Sequence, residues 1–144
     1  MTDLALTLPT AVRDFLAADR FVSIATTDRD GSPRQAVVWY RLDGDVVVLN
    51  SKIGRRWPAN VLHDPRVALS IIDVSDSNRW VGLTGRVVEA IRERAIAQAD
   101  IAGMARRYHA SDPERAARVI RGFETQERIS FHVRIEAVHD HLAG

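Results

Sequence analysis

The segment RISFHVRIEAV, from Arg128 to Val138, alternates without a break. Ile129, Phe131, Val133, Ile135 and Ala137 are apolar, while Arg128, Ser130, His132, Arg134 and Glu136 are polar. Successive side chains of a β-strand point to opposite faces, so this segment reads as a strand with one face on a core and the other toward water. Such a strand needs partners, and the rest of the chain supplies them.

FVSIATTD reads as a first strand and is followed by DRDGSP, whose Asp, Gly and Pro residues are turn chemistry. RQAVVWYRL is a second strand. A turn at Asp43-Gly44-Asp45 leads into VVVLNS, a β-branched run read as a third, so the three form an antiparallel meander. VALSIIDV is a fourth strand. RWVGLTGRVVEAI is a longer fifth, in which Gly82 and Gly85 mark a bulge, a bend, or the close approach of another backbone. With the C-terminal strand the expectation is a mainly β fold, a six-stranded antiparallel barrel or strongly curved sheet with peripheral helices.

The helices lie between these runs. Val12, Phe15 and Leu16 share one face between Pro9 and Arg20. A short helix begins near Pro58, with Trp57 before it pushed toward an extended backbone. Another runs from Glu93 to about His109, with Ile96, Ile101 and Met104 on its apolar side. Ser111 or Asp112 caps a last helix with Pro113 in its first turn, and Ala117, Ile120 and Phe123 face inward.

At 144 residues the chain reads as one domain, residues 1–144, and its 46% hydrophobic and 27% charged content is that of a globular protein. A net charge of +1 gives no global reason to bind nucleic acid or an anionic membrane. No apolar run approaches a membrane span, and the N-terminus lacks the layout of a signal peptide, so a cytoplasmic location is expected. Without cysteine there is no disulfide framework, thiolate nucleophile or thiolate metal site. His139-Asp140-His141 is a weak metal candidate, read more simply as a solvated tail, and no serine-hydrolase elbow, P-loop or dinucleotide fingerprint occurs.

Chemistry concentrates in NSKIGRRWPANVLHDPRVAL, from Asn50 to Leu69. A strand end, a glycine and two arginines precede a helix whose N–H groups and positive dipole end point back at them. Arg55 and Arg56 can grip a phosphate, with Ser51 adding a hydroxyl and Lys52, the only lysine, a mobile charge. Taken alone, the arginine pair reads more simply as a solvated helix entrance, and the rest of the chain has to decide between the two. Trp39, Trp57 and Trp80 stand near strand or helix ends; each alone reads first as a core or interface anchor, and grouped around a phosphate site they would suit a planar ring.

This segment, together with NRWVGLTGRVVEA and the order of elements, resembles the pyridoxamine 5′-phosphate oxidase-like split β-barrel flavoproteins from Phe21 to about Val138. Within them it is most similar to the small actinobacterial F420-dependent reductases, the group that includes F420-dependent biliverdin reductases. The resemblance implies a cofactor phosphate on Arg55 and Arg56, with Asn50 and Ser51 on the ribityl and phosphate. It places the ring along Val37, Val38 and Trp39, with Trp80 approaching it. It also implies a homodimer with sites at the subunit interface. The implied activity is hydride transfer from C5 of reduced F420 to a conjugated small-molecule acceptor, with no side chain nominated as a catalytic acid. An FMN oxidoreductase, or a non-catalytic F420 or haem carrier or sensor, is the alternative on the same fold. Relatives commonly carry a lysine where this chain has Trp57, a departure that would lower phosphate affinity, be compensated by Lys52 from the loop, or leave Trp57 to stack on the ring or substrate.

Overall fold

The computed structural model describes residues 6–143. In chain order the elements are α1 (Thr10–Ala17), β1 (Val22–Thr27), β2 (Pro33–Val38), β3 (Arg41–Asp43), β4 (Val46–Lys52) and α2 (Arg56–His63). There follow β5 (Arg66–Ile72), β6 (Trp80–Ile91), α3 (Arg94–Tyr108), α4 (Pro113–Glu124) and β7 (Arg128–His141).

The strands form one antiparallel sheet in the order β2-β1-β5-β6-β7-β4-β3. Its two outermost strands, β2 and β3, are consecutive in the chain and separated only by Trp39 and Tyr40. A link that short spans about 10 Å, so the edges of the sheet must come close to each other at that corner. The sheet therefore curls into a split barrel.

That corner corrects the sequence expectation twice. RQAVVWYRL is two strands, so there are seven rather than six, and no three-strand meander forms. β2 pairs with β1 through Val38↔Val22, whereas β3 pairs with β4 through Arg41↔Val48. The reason lies at Tyr40, which turns inward and is 1% exposed. Its hydroxyl donates to Leu16 O at 2.7 Å, and its own N–H is satisfied by Tyr108 Oη at 3.2 Å instead of by a ladder partner. Burial raises the Tyr40 hydroxyl well above the usual phenol range.

The apolar face of β7 lies in the core as its alternation requires, with Ile129, Phe131, Val133 and Ile135 buried. Helix α1 closes one end of the barrel through Val12, Phe15 and Leu16. The long β6–β7 ladder carries register shifts at Thr84/Gly85 and Val87/Glu89. A Cβ at Gly85 would stand 2.4 Å from Arg134 O, so the glycine marks both a bulge and a close backbone approach.

Three helical details differ from expectation. Helix α2 begins at Arg56, and Trp57 is helical despite preceding proline, because its indole packs into the core 5.5 Å from the Phe131 ring. α3 buries Ala97, Ile101, Met104 and Ala105, leaving Ile96 39% exposed, since the helix lies close enough to β4 for the Ala97 carbonyl to accept an Asn50 amide hydrogen. α4 buries Ala116 in place of Ala117; its cap is as expected, with Asp112 accepting from Arg115 N at 3.1 Å and Pro113 at the start.

Candidate functional site

A cleft of about 250 Å³ opens at the corner between β2 and β3, beneath the α3–α4 pair. One end is apolar and aromatic. Val37, Val38 and Trp39 come from the β2 edge, Phe21 from the start of β1, and Ile101 and Phe123 from the two helices. Trp39 is held by stacking on Tyr108, 4.9 Å between centroids and 11° from parallel, and meets Phe123 edge-on.

The other end is polar, built from Asn50 and Ser51 at the end of β4, Arg55, and Arg128 at the start of β7, with Trp57 behind them. The chain reaches Arg55 through Gly54, whose φ of 105° lies in the left-handed region that favours glycine and redirects β4 into α2. Arg55 caps α2 through its backbone position, and its guanidinium has no hydrogen bond or ion pair among the described residues.

Arg128 is 8% exposed. Its Nε donates to Asn50 Oδ1 at 3.0 Å and its Nη1 to Gln126 Oε1 at 2.7 Å, and its Cζ lies 4.7 Å from the Phe123 ring centroid. These partners are neutral, and no carboxylate pairs with it among the described residues. Burial pushes its pKa down to about 10, with the nearby Arg55 charge acting in the same direction.

A hydrogen-bond chain fixes this end. A guanidinium can only donate, so Asn50 must turn its oxygen toward Arg128. Its Nδ2 then donates to Ala97 O and Ser130 Oγ, each at 2.9 Å. Ser130 in turn donates to Asp100 Oδ2 at 2.7 Å, and Asp100 Oδ1 accepts from Arg41 at 3.0 Å. The Asn50 amide and the Ser130 hydroxyl are therefore held from both sides.

Of the residues singled out in the sequence, Val37, Val38, Trp39, Asn50, Ser51, Arg55 and Trp57 meet at this cleft. Arg56, Lys52 and Trp80 do not line it. Arg56 is directed to Asp28 Oδ2 at 3.3 Å, on a neighbouring surface hollow that also contains Asp30 and Asn60. Asp28 is held at about 2 by hydrogen bonds from Arg34 first and then Asn60. Lys52 is exposed at the end of β4. Trp80 stacks on His141, 4.1 Å and 7° apart.

Arg128, Ser130, Asp100, Phe21, Ile101 and Phe123 were not among the predicted site residues. The signal was present in part: Arg128 and Ser130 lead the polar face of β7, which the alternation alone assigns to water. No group of three or more His, Asp or Glu side chains able to hold a metal occurs among the described residues. Among them, no helix is long and apolar enough to cross a membrane.

A curled antiparallel sheet with a cleft lined by aromatic and cationic side chains at its split defines the class of small split barrels. The sequence matches the pyridoxamine 5′-phosphate oxidase family over residues 8–141, and the chain belongs to that family. Among solved structures it is similar to an F420 reductase at 22% identity and TM-score 0.75, over 92% of this chain and 98% of that one. It is also similar to the conserved hypothetical protein Rv2991 of Mycobacterium tuberculosis, at 19% identity and TM-score 0.72 over 95% and 87%. HutZ, the haem storage protein of Vibrio cholerae, aligns at 17% identity and TM-score 0.68 over 94% and 95%. These likenesses establish the fold. No curated protein matches the sequence significantly.

Proposed function

We propose that this chain is an F420-dependent reductase that passes a hydride from the reduced deazaflavin to a conjugated small-molecule acceptor. The observation that carries this reading is the polarity of the cleft. Its aromatic end, with Val37, Val38 and Trp39 on the β2 edge, suits a planar ring; its cationic end, with Asn50, Ser51 and Arg55, suits the ribityl chain and phosphate. The donors at that end fit an anion, since among the described residues Arg55 has no carboxylate partner and Arg128 only neutral ones.

Bound F420 supplies two-electron hydride chemistry at a ring carbon, and the protein supplies binding, orientation and shielding. Trp57 takes no part as a cation in place of the relatives' lysine. It is a 4%-exposed core residue that forms the back wall of the cationic end.

Ligand pockets commonly reach 300–1,000 Å³, more than the cleft offers within one chain. Its rim exposes Val37 and Phe21, 74% and 51% accessible, on a sheet edge. We therefore assign a second copy of the chain to cover that rim, which makes the protein a homodimer. Sedimentation should give twice the chain mass, and a species of single-chain mass at working concentration would overturn the dimer.

FMN offers the same phosphate and a similar ring, so it is the competing cofactor. Within one chain, no His, Met, Cys or Tyr among the described residues lines the cleft as an axial haem ligand, which favours a flavin or deazaflavin over haem. Titrating the purified chain with F420 and with FMN, followed by fluorescence, tests the reading. Binding of F420, with oxidation of its reduced form by a panel of quinones, unsaturated lactones and tetrapyrroles, is expected. Binding of FMN alone would transfer the assignment to a flavin oxidoreductase, and F420 binding without turnover would leave a carrier.

A further inference from the structure

We infer that Arg55 and Arg128, and not the adjacent pair Arg55 and Arg56, form the anion seat of the cleft, and that the seat takes the phosphate of the bound cofactor. The inference rests on the cofactor reading above, and it reassigns the second arm of the seat to a strand more than seventy residues further along the chain.

Adjacency in sequence favours Arg56, but the geometry does not. Its guanidinium lies 3.3 Å from Asp28 Oδ2. The same carboxylate receives Arg34 at 2.9 Å and Asn60 at 2.8 Å, and Asn60 also donates to Thr26 at 3.1 Å. Arg56 thus fastens the first turn of α2 to the end of β1. A phosphate beside it would meet the charge of Asp28, which stays ionised down to about pH 2, and that of Asp30 in the same hollow. Arg29 and Arg55 also line that hollow, so its two carboxylates offset most of its positive charge, whereas no described carboxylate lines the cleft beside Arg128.

Arg128 is the opposite case. It is nine-tenths buried, its fork is oriented in advance by Asn50 and Gln126, and no carboxylate among the described residues balances its charge. Asn50 is itself clamped by Ala97 and Ser130, so the orientation does not depend on the ligand. Arg55 and Arg128 line the same cleft and repel one another, which contributes to the depressed pKa of Arg128. A desolvated guanidinium facing a second, exposed one, with no carboxylate partner among the described residues, is unfavourable in the empty protein. An anion seated between them relieves the repulsion and gains charge-assisted hydrogen bonds from pre-oriented donors. A purely structural Arg128 would support Asn50 and Gln126 without altering which ligands bind.

The test compares ligands that differ only by the phosphate-bearing end. FMN is set against riboflavin, and F420 against its phosphate-free deazariboflavin fragment, by fluorescence titration of wild type and of Arg55→Gln, Arg56→Gln and Arg128→Gln. Wild type should prefer the phosphate-bearing member of the pair that binds. Arg55→Gln and Arg128→Gln should each lower that preference by about tenfold or more, the usual scale for losing a charged hydrogen bond, while Arg56→Gln keeps it within about threefold. Should Arg128→Gln not fold, Arg128→Lys retains the charge without the fork, and a loss of preference of about threefold or more is expected.

Preference unchanged by Arg128 substitution, or lost as fully in Arg56→Gln as in Arg55→Gln, overturns the seat while leaving the cofactor reading intact. If no member of either pair binds, the cofactor reading fails. The anion seat is then decided by inorganic phosphate, which should raise the melting temperature of wild type and Arg56→Gln and not that of Arg55→Gln or Arg128→Gln. The absence of any phosphate effect on wild type would remove the seat as well.

Discussion

Replacing Asn50 by leucine, which has nearly the same shape, probes the buried network that holds the cationic end of the cleft. Asn50 is 7% exposed and makes three hydrogen bonds, to Arg128 Nε, Ala97 O and Ser130 Oγ, at 3.0, 2.9 and 2.9 Å. The bond to the guanidinium is worth about 1.5–3 kcal/mol and each neutral bond about 1 kcal/mol. Because the three share one side chain, they will not sum fully, and Asn50→Leu should cost about 3 kcal/mol. In a chain of this size that lowers the melting temperature by about 10 °C. The informative measurement is a double-mutant cycle by urea denaturation. Arg128→Met added to Asn50→Leu removes the buried cation that the first substitution left unsupported, so the double variant should recover about 1–2 kcal/mol relative to the sum of the singles. A cost below about 1 kcal/mol for Asn50→Leu, or strictly additive losses, would refute the claim that the amide supports a buried uncompensated charge.

Two further outcomes follow from local geometry. Gly85→Ala must displace the Arg134 carbonyl, 2.4 Å from the new methyl, and should destabilise by about 2–3 kcal/mol in chemical denaturation. Gly103→Ala in α3, with nothing within 4 Å, should be neutral or stabilise by up to about 1 kcal/mol, and equal effects of the two would contradict the bulge geometry. Asp28 has its pKa lowered from 3.8 to about 2 in the folded chain, so its contribution to stability is fully present above about pH 4 and is lost as pH falls through about 2. Asp28→Asn should therefore flatten the stability profile between those values, and an unchanged acid limb would contradict the Arg34–Asp28–Asn60 arrangement.

Much of the fold was legible because it is written in local periods. The alternation of β7, the Val12–Phe15–Leu16 face of α1 and the Asp112–Pro113 start of α4 each depend only on residues within one or two turns of themselves. The split of RQAVVWYRL was not legible. Its break depends on Tyr40 finding the Leu16 carbonyl and Tyr108 finding the Tyr40 amide, contacts across 24 and 68 residues. Pro58 suggested an extended Trp57, a local preference of the size that a buried indole on Phe131 overrides.

The cleft divides in the same way. Sequence alone determined that Arg55 stands at the entrance of a helix after a strand, that Asn50 and Ser51 end that strand, and that aromatic residues lie nearby. It also determined that β7 carries Arg128 and Ser130 on the face opposite the core. Only the tertiary structure decided that this polar face is covered at its first turn by α3, through Ala97 and Asp100. The same structure turned Arg56 away toward Asp28 and brought Arg128 to Arg55. The period of a strand says which residues share a face. What lies over that face depends on elements distant in the chain, and α3 there turns a position that the alternation assigns to water into a buried guanidinium.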